Sequence, residues 1–310
     1  MNKIIRIATR ESQLALWQAN HIRRCLLECH PDLTIELLPM RTSGDKFLKD
    51  KLKVIGSKGL FVKELEEALL THQADLAVHS MKDVPASFPE GLILPIICER
   101  GNPLDAFVSS QFSNASQLPE KAIVGTSSLR RQAQILNLRP DLQVKTLRGN
   151  VQSRLKKLDQ GEYDAIILAS AGLERLSLDT RIADEFSPVD MLPACGQGAL
   201  GIECRADDPE LQSLISPLHH ALSATCVQAE RWVNAHMGGN CHAPIAVYCW
   251  PDVHNQLQMH ARIFSVDGKT IISAKVNGMS ENIETMAEEC AESLTRQGGL
   301  KLIEMALKSS

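Results

Sequence analysis

Apolar positions in the first hundred residues follow two rhythms. Lys3 to Ala8 alternates, the period of a half-buried strand. From Leu14 to about Cys29 the spacing lengthens, and Leu16, Ala19, Ile22 and Leu26 fall on one face of a predicted helix. Ser12 stands where an N-cap belongs. Pro31-Asp32-Leu33 restarts the chain into a strand, Thr34 to Met40. Thr42 to Lys58 carries glycines among many charged residues and reads as a long loop, a length usually reserved for function; we read it as a lid. Phe61 to Thr71 predicts an amphipathic helix that feeds the apolar run Leu76-Ala77-Val78. The chain then turns polar at His79, Ser80, Lys82 and Asp83, and Pro85 blocks simple continuation. A buried strand ending in a charged cluster commonly holds chemistry at the mouth of an α/β sheet. Leu92 to Cys98 is a further strand.

A second segment repeats this plan. Ala122 to Thr126 is a strand, Ser127-Ser128-Leu129-Arg130-Arg131 opens a helix, and Pro140-Asp141-Leu142 restarts the chain as Pro31-Asp32-Leu33 does. Gln143 to Leu147 ends in Arg148-Gly149-Asn150, the next helix carries Arg154, and Asp164 to Ala169 matches the strand entered through Asp75. Two β-α-β-α-β halves suggest a duplicated α/β unit whose strand ends and helix N-termini face a cleft. Leu192 to Glu203, with its strand-like end from Ala199, suits a crossover back to the first half, and two crossings would make a hinge. From about His220 the pattern changes: a helix to His236, then strands Ile245 to Cys249, Leu257 to Phe264 and Thr270 to Val276, with Asp267-Gly268 as a hairpin turn, and a helix from Glu281 to Gln297. The expected division is residues 1–98 with 199–217, residues 104–192, and residues 220–310.

With 310 residues, two or three cores are expected. No apolar run approaches the ~18 residues of a membrane span, and the N-terminus is too charged for a signal peptide, so a cytoplasmic protein is expected. Nine scattered cysteines without a Cys-x-x-Cys pair, and dispersed histidines, indicate neither a disulfide framework nor a metal site. A net charge of −4 and only 4% aromatic residues argue against a nucleic-acid partner. Any basic site must therefore be a local concentration of charge.

Arg10, Arg130, Arg131, Arg148 and Arg154 supply one. All lie at strand ends or first helical turns, where a guanidinium opposes the helix dipole and needs a reason. A polyanionic ligand is such a reason, because arginine forks match carboxylates. Ser80, Thr126 and Ser128 add neutral donors. Asp83 is then a lone carboxylate in a basic cleft, suited to stabilising a developing cation or to moving a proton on a nitrogen. Cys241, after Gly238-Gly239-Asn240, reads equally as an ordinary loop residue or as a nucleophile or attachment point. From these residues alone a solute-binding module and a transferase acting on some other anionic metabolite stay open.

Six stretches together resemble the porphobilinogen deaminase (hydroxymethylbilane synthase) family: Ile7-Ala-Thr-Arg-Glu-Ser-Gln-Leu-Ala-Leu-Trp-Gln18, Gly56-Ser-Lys-Gly-Leu-Phe-Val-Lys-Glu-Leu-Glu66, Val78-His-Ser-Met-Lys-Asp-Val-Pro85, Gly125-Thr-Ser-Ser-Leu-Arg-Arg-Gln132, Leu147-Arg-Gly-Asn-Val151 and Gly196-Gln-Gly-Ala199. The likeness runs along nearly the whole chain. It implies an α/β fold of two hinged periplasmic-binding-protein-like domains and a small α+β C-terminal domain with a three-stranded antiparallel sheet. It implies one dipyrromethane cofactor joined by a thioether to Cys241, onto which four porphobilinogens are deaminated and joined before hydrolysis releases hydroxymethylbilane. By the same resemblance Asp83 is catalytic. Lys82, Ser80, Thr126, Ser128, Arg130, Arg131, Arg148, Arg154 and Arg175 hold the cofactor, while Arg10, Ser12, Gln18, Phe61, Lys58 and Gln197 serve the substrate. A monomer is expected, with porphobilinogen as partner and no membrane or nucleic acid. The resemblance also explains the arginines: each porphobilinogen ring bears an acetate and a propionate. One departure stands beside the attachment cysteine, where the family's Gly-Gly-Cys-Gln-Val-Pro-Ile is Gly238-Gly239-Asn240-Cys241-His242-Ala243-Pro244-Ile245. Asn tolerates positive φ better than most residues, which is compatible with the turn.

Overall fold

The computed structural model describes residues 4–42, 62–239 and 243–309. In chain order its elements are β1 (Ile4–Arg10), α1 (Gln13–Cys29), β2 (Thr34–Met40), α2 (Lys63–Leu70), β3 (Leu76–Ser80), β4 (Leu92–Ile97), β5 (Asp105–Val108), β6 (Ile123–Gly125), α3 (Leu129–Leu138), β7 (Gln143–Lys145), α4 (Val151–Asp159), β8 (Ala165–Ala169), α5 (Ser170–Arg175), β9 (Asp184–Phe186), β10 (Leu200–Arg205), α6 (Pro209–Ile215), α7 (Ala221–His236), β11 (Ile245–Pro251), β12 (Leu257–Phe264), β13 (Ile271–Gly278), α8 (Ile283–Arg296) and α9 (Gly299–Ser309). They gather into two compact units, Met1–Gly101 with Ala199–Ala224, and Asn102–Gly198 with Thr225–Ser310.

In the first unit the sheet order is β2-β1-β3-β10-β4. β1 pairs in parallel with β2 and β3, and β10 runs antiparallel between β3 and β4. Both faces are covered, which is why β3 opens on, and β4 consists of, a continuous apolar run, whereas β1 at its start and β2 alternate. Ala19, Ile22 and Leu26 of α1 pack with Ile5, Ile7, Leu76, Val78 and Ile202 on one face. Leu65, Ala68 and Leu69 of α2 pack with Ala8, Ala77 and Leu92 on the other. Ser12 caps α1 as its position predicts, its Oγ accepting from the Ala15 N–H. The polar turn expected at His79 begins later: β3 continues through His79 and Ser80, and His79 is buried.

The second unit repeats that plan. Its sheet order is β7-β6-β8-β5-β9, with β6 parallel to β7 and β8, and β5 antiparallel between β8 and β9. β5 holds the place that β10 holds in the first sheet. Each sheet thus takes one antiparallel strand from just beyond a chain crossing. β5, α5 and β9 have no counterpart among the sequence-based expectations.

The C-terminal part of this unit is an antiparallel sheet, β11-β12-β13. Val233 and Met237 from α7 and its end, Cys290 and Leu294 of α8, and Ile303 of α9 cover Val247, Met259 and Ile263. α9 extends beyond the closing helix expected at Gln297. The β12–β13 turn lies on α3, where Gln132 and Asn137 donate to the carbonyls of Val266 and Gly268. Gly268 has φ +71°, and a Cβ there would collide with the Ala133 carbonyl oxygen. Among the described residues no helix is long and apolar enough to cross a membrane.

Candidate active site

The parallel strands of an α/β sheet deliver side chains to their C-terminal ends. In the first unit those ends are Arg10, the last residue of β1, and Ser80, the last of β3. A single turn of 3-10 helix, Met81–Asp83, follows and places Lys82 and Asp83 at the surface. One cavity of about 60 Å³ is lined by Arg10, Ser12, Gln18, His79, Ser80 and Asp83, with an apolar wall that includes Leu14, Val62 and Leu65. Gln18 is buried on α1 and donates from Nε2 to Ser80 Oγ at 2.8 Å, which fixes both side chains at the rim. Five expected site residues therefore share one cavity: Arg10, Ser12, Gln18, Ser80 and Asp83. Lys58, Phe61 and Cys241, and the lid from residue 43 onward, lie outside the described residues.

In the second unit the expected residues again follow the parallel strands. Thr126 is buried just after β6, and its Oγ1 accepts from the Ser128 N–H. Ser128 caps α3, accepting from the Arg131 N–H. Arg130 and Arg131, in the first turn of α3, are buried and turn inward onto the fully buried Asp105 of β5. Arg130 also donates to the Leu192 carbonyl at 2.7 Å, and Arg131 to that of Ile167 at 3.0 Å. Burial alone would push the Asp105 carboxyl up; the two guanidinium groups outweigh it and hold it far below the usual carboxylate range. Asp105 thus supplies a second reason for arginines at a helix N-terminus. Two guanidiniums share the Asp105 carboxylate.

Arg148 is exposed after β7, Arg154 is half-buried on α4 with Nε donating to the Gly149 carbonyl, and Arg175 ends α5 and donates to the Gly198 carbonyl at 2.6 Å. Gln197 is buried and donates to the carbonyls of Pro103 and Leu104 and to Asp105 Oδ1. It binds the glycine-rich loop to the same cluster. Glu230 of α7, fully buried, accepts from the N–H groups of Gly196 and Cys249 and so ties that loop to the C-terminal sheet.

Asp105, Glu203 and Glu230 were not anticipated from sequence. Each is an acidic residue whose partners lie far along the chain. The only local hint is at Glu203, a carboxylate within β10 that follows the apolar run Ala199 to Ile202. The second unit also buries the Ser170 hydroxyl, at the first position of α5, without a hydrogen-bond partner among the described residues.

The sequence is similar to known proteins along most of its length. Residues 5–213 match the family model described as porphobilinogen deaminase, dipyromethane cofactor binding domain, and residues 224–296 match its C-terminal domain. The porphobilinogen deaminases of Legionella pneumophila strain Lens and strain Philadelphia 1 are 58% and 56% identical over 301 residues, covering 97% of this chain and of each relative. Among solved structures, the periplasmic aliphatic sulphonate binding protein SsuA from Escherichia coli superposes with a TM-score of 0.42 at 14% identity, covering 76% of this chain and 75% of that one.

Proposed function

The chain belongs to the porphobilinogen deaminase family, and from that premise we propose that it acts as a hydroxymethylbilane synthase, joining four porphobilinogens head to tail, with loss of four ammonia, and releasing hydroxymethylbilane by hydrolysis. The observation that carries this reading is the shared cavity: a carboxylate, a guanidinium and three neutral polar side chains converge at the C-terminal ends of β1 and β3.

The donor set of the second unit suits a carboxylate-bearing cofactor. It combines the exposed Arg148, the half-buried Arg154 and Arg175, an arginine pair with one shared counter-charge, and hydroxyls at Thr126, Ser128 and Ser170. Dipyrromethane, bound as a thioether to Cys241, would supply the pyrrole carbon that accepts the first substrate. Lys82, Ser80, Thr126, Ser128, Arg130, Arg131, Arg148, Arg154 and Arg175 would hold its acetates and propionates. Charge-assisted bonds of this kind contribute roughly 1.5–3 kcal/mol each.

Asp83 faces the pyrrole nitrogen of bound porphobilinogen and stabilises the positive charge that develops as ammonia leaves. Arg10 pairs with a substrate carboxylate. Ser12 and Gln18 orient the ring from α1, while Phe61, Lys58 and Gln197 shape the remaining contacts. In the same reading, residues 1–98 with 199–217, residues 104–192 and residues 220–310 form three domains of a cytoplasmic monomer. The direct test supplies porphobilinogen to the purified protein and follows its consumption. Four ammonia per linear tetrapyrrole are expected; saturable binding without ammonia release would identify a solute-binding protein instead.

A further inference from the structure

His79 and Glu203 form a buried acid–imidazole pair on neighbouring strands of the first unit. In the β3–β10 register His79 stands opposite Gly201, and Glu203 opposite Ala77, so the two side chains are diagonal neighbours on one face of the sheet. His79 Nε2 lies 2.8 Å from Glu203 Oε2, with the residues only 6% and 1% exposed. An apolar pair would fill a sheet core without the desolvation cost that these groups carry. A Cβ at Gly201 would meet Met81 Sδ and Leu94 Cδ1, so those side chains would have to shift to admit one.

The pair also reaches the active-site cavity, because His79 lines it beside Ser80, Asp83 and Arg10. Glu66 of α2 is a second acid beside this pair. Burial pushes its carboxyl up, and Glu203 adds to that. With Glu203 accepting from Nε2–H, the lone pair of the His79 ring is on Nδ1. A base oriented by a buried acid is the arrangement that nucleophile-activating dyads and triads use.

We infer that His79 is a second proton-transfer residue of this site and that Glu203 is its positioning residue, an assignment that rests on the synthase reading above. When one porphobilinogen is joined to the next, the C–N bond of the incoming aminomethyl group breaks and its electron pair leaves with ammonia. One C–C bond forms. The free α-carbon of the receiving ring gives up its proton, and the C–H electrons return to that ring. After the C–C bond has formed, His79 Nδ1 takes that proton and then gives it to the aminomethyl nitrogen of the next porphobilinogen, which leaves as ammonia. No oxidant or reductant enters, and Asp83 is left to face the pyrrole nitrogen throughout.

The experiment compares the unmutated chain with His79→Gln and Glu203→Gln, using porphobilinogen carrying hydrogen or deuterium at the free α-carbon. For His79→Gln, kcat should fall about 100-fold or more, the scale of one lost proton-transfer group. KM should stay within about threefold, and the isotope effect should rise, because proton removal becomes rate-limiting. A kcat within about threefold of the unmutated value, with the isotope effect unchanged, overturns the assignment. Histidine 15N spectra of the Cys241→Ser chain give a readout independent of turnover, also should His79→Gln fail to fold. The His79 ring should carry its proton on Nε2 and change its shifts when Glu203→Gln is added; an Nδ1-protonated ring indifferent to Glu203 rejects the pair. If the unmutated chain makes no linear tetrapyrrole, the synthase reading falls and this assignment falls with it.

Discussion

Arg130 grips Asp105 with both ends of its guanidinium, Nη1 to Oδ2 at 2.7 Å and Nη2 to Oδ1 at 3.1 Å, where the carboxylate has no exposure to solvent. Arg131 Nε adds a bond to Oδ1 at 2.8 Å. Removing the carboxylate would leave two guanidiniums buried without their counter-charge. Asp105→Asn should therefore lower stability at neutral pH by about 3–5 kcal/mol, read as a shift in urea midpoint; an unchanged midpoint would refute the role. The pH dependence follows from the sign. The folded-state value is depressed, so the stabilisation is complete above the unfolded carboxyl's pKa near ~4 and is lost as pH falls from there toward the folded value.

Gly268 tests how the C-terminal hairpin seats on α3. Its φ is +71°, a Cβ would collide with the Ala133 carbonyl oxygen, and Asn137 N would lie only 2.7 Å away. Gly161 has a similar φ of +75° but nothing within 4 Å. Gly161→Ala should cost only the left-handed backbone penalty of about 1–2 kcal/mol. Gly268→Ala should cost at least ~1 kcal/mol more, because α3 or the hairpin must move. Equal thermal shifts for the two variants would show that the hairpin does not need this contact.

His260 on β12 offers a pH test in the C-terminal sheet. Burial lowers its pKa to about 4, helped by Lys275 and Arg262, and Trp250 meets the ring edge-on at 4.8 Å. Protonation is thus easier in the unfolded chain, near pH ~6.5, than in the fold. The contribution of His260 to stability is present above that pH and is lost as pH falls through about 4. A histidine NMR titration should find this ring neutral at pH ~5.5, a unit below the model-peptide midpoint; half-protonation near ~6.5 would contradict its placement.

What the sequence revealed and what it hid divide along one physical line. Patterns that repeat locally were readable. Of the predicted α1 stripe, Ala19, Ile22 and Leu26 are buried and Leu16 is half-buried; Ser12 caps that helix, and the two halves share one strand order. Groups defined by distant partners were not. His79 looked like the start of a polar turn because its acid is 124 residues away. Asp105 sits in a four-residue strand with no rhythm of its own, and its arginines come 25 and 26 residues later. The arginines themselves were legible as a set, but the carboxylate that draws two of them inward was not. The second unit's β9 is only three residues long, too short for any period to show.

Asp83 lies exposed on a one-turn 3-10 helix, and nothing in the core rests on it. Asp83→Ala should therefore keep the melting temperature within about 1–2 °C, since surface changes are usually worth under ~0.5 kcal/mol. Turnover of porphobilinogen should fall by about 100-fold or more. Near-normal kcat would remove Asp83 from the chemistry.

The most direct test of the whole account is the intact mass of the denatured protein after exposure to porphobilinogen. The unmutated chain should carry an added mass equal to two linked pyrroles, and Cys241→Ser should show the bare polypeptide under the same treatment. An unmodified mass for the unmutated chain, or an adduct that survives Cys241→Ser, would contradict the account.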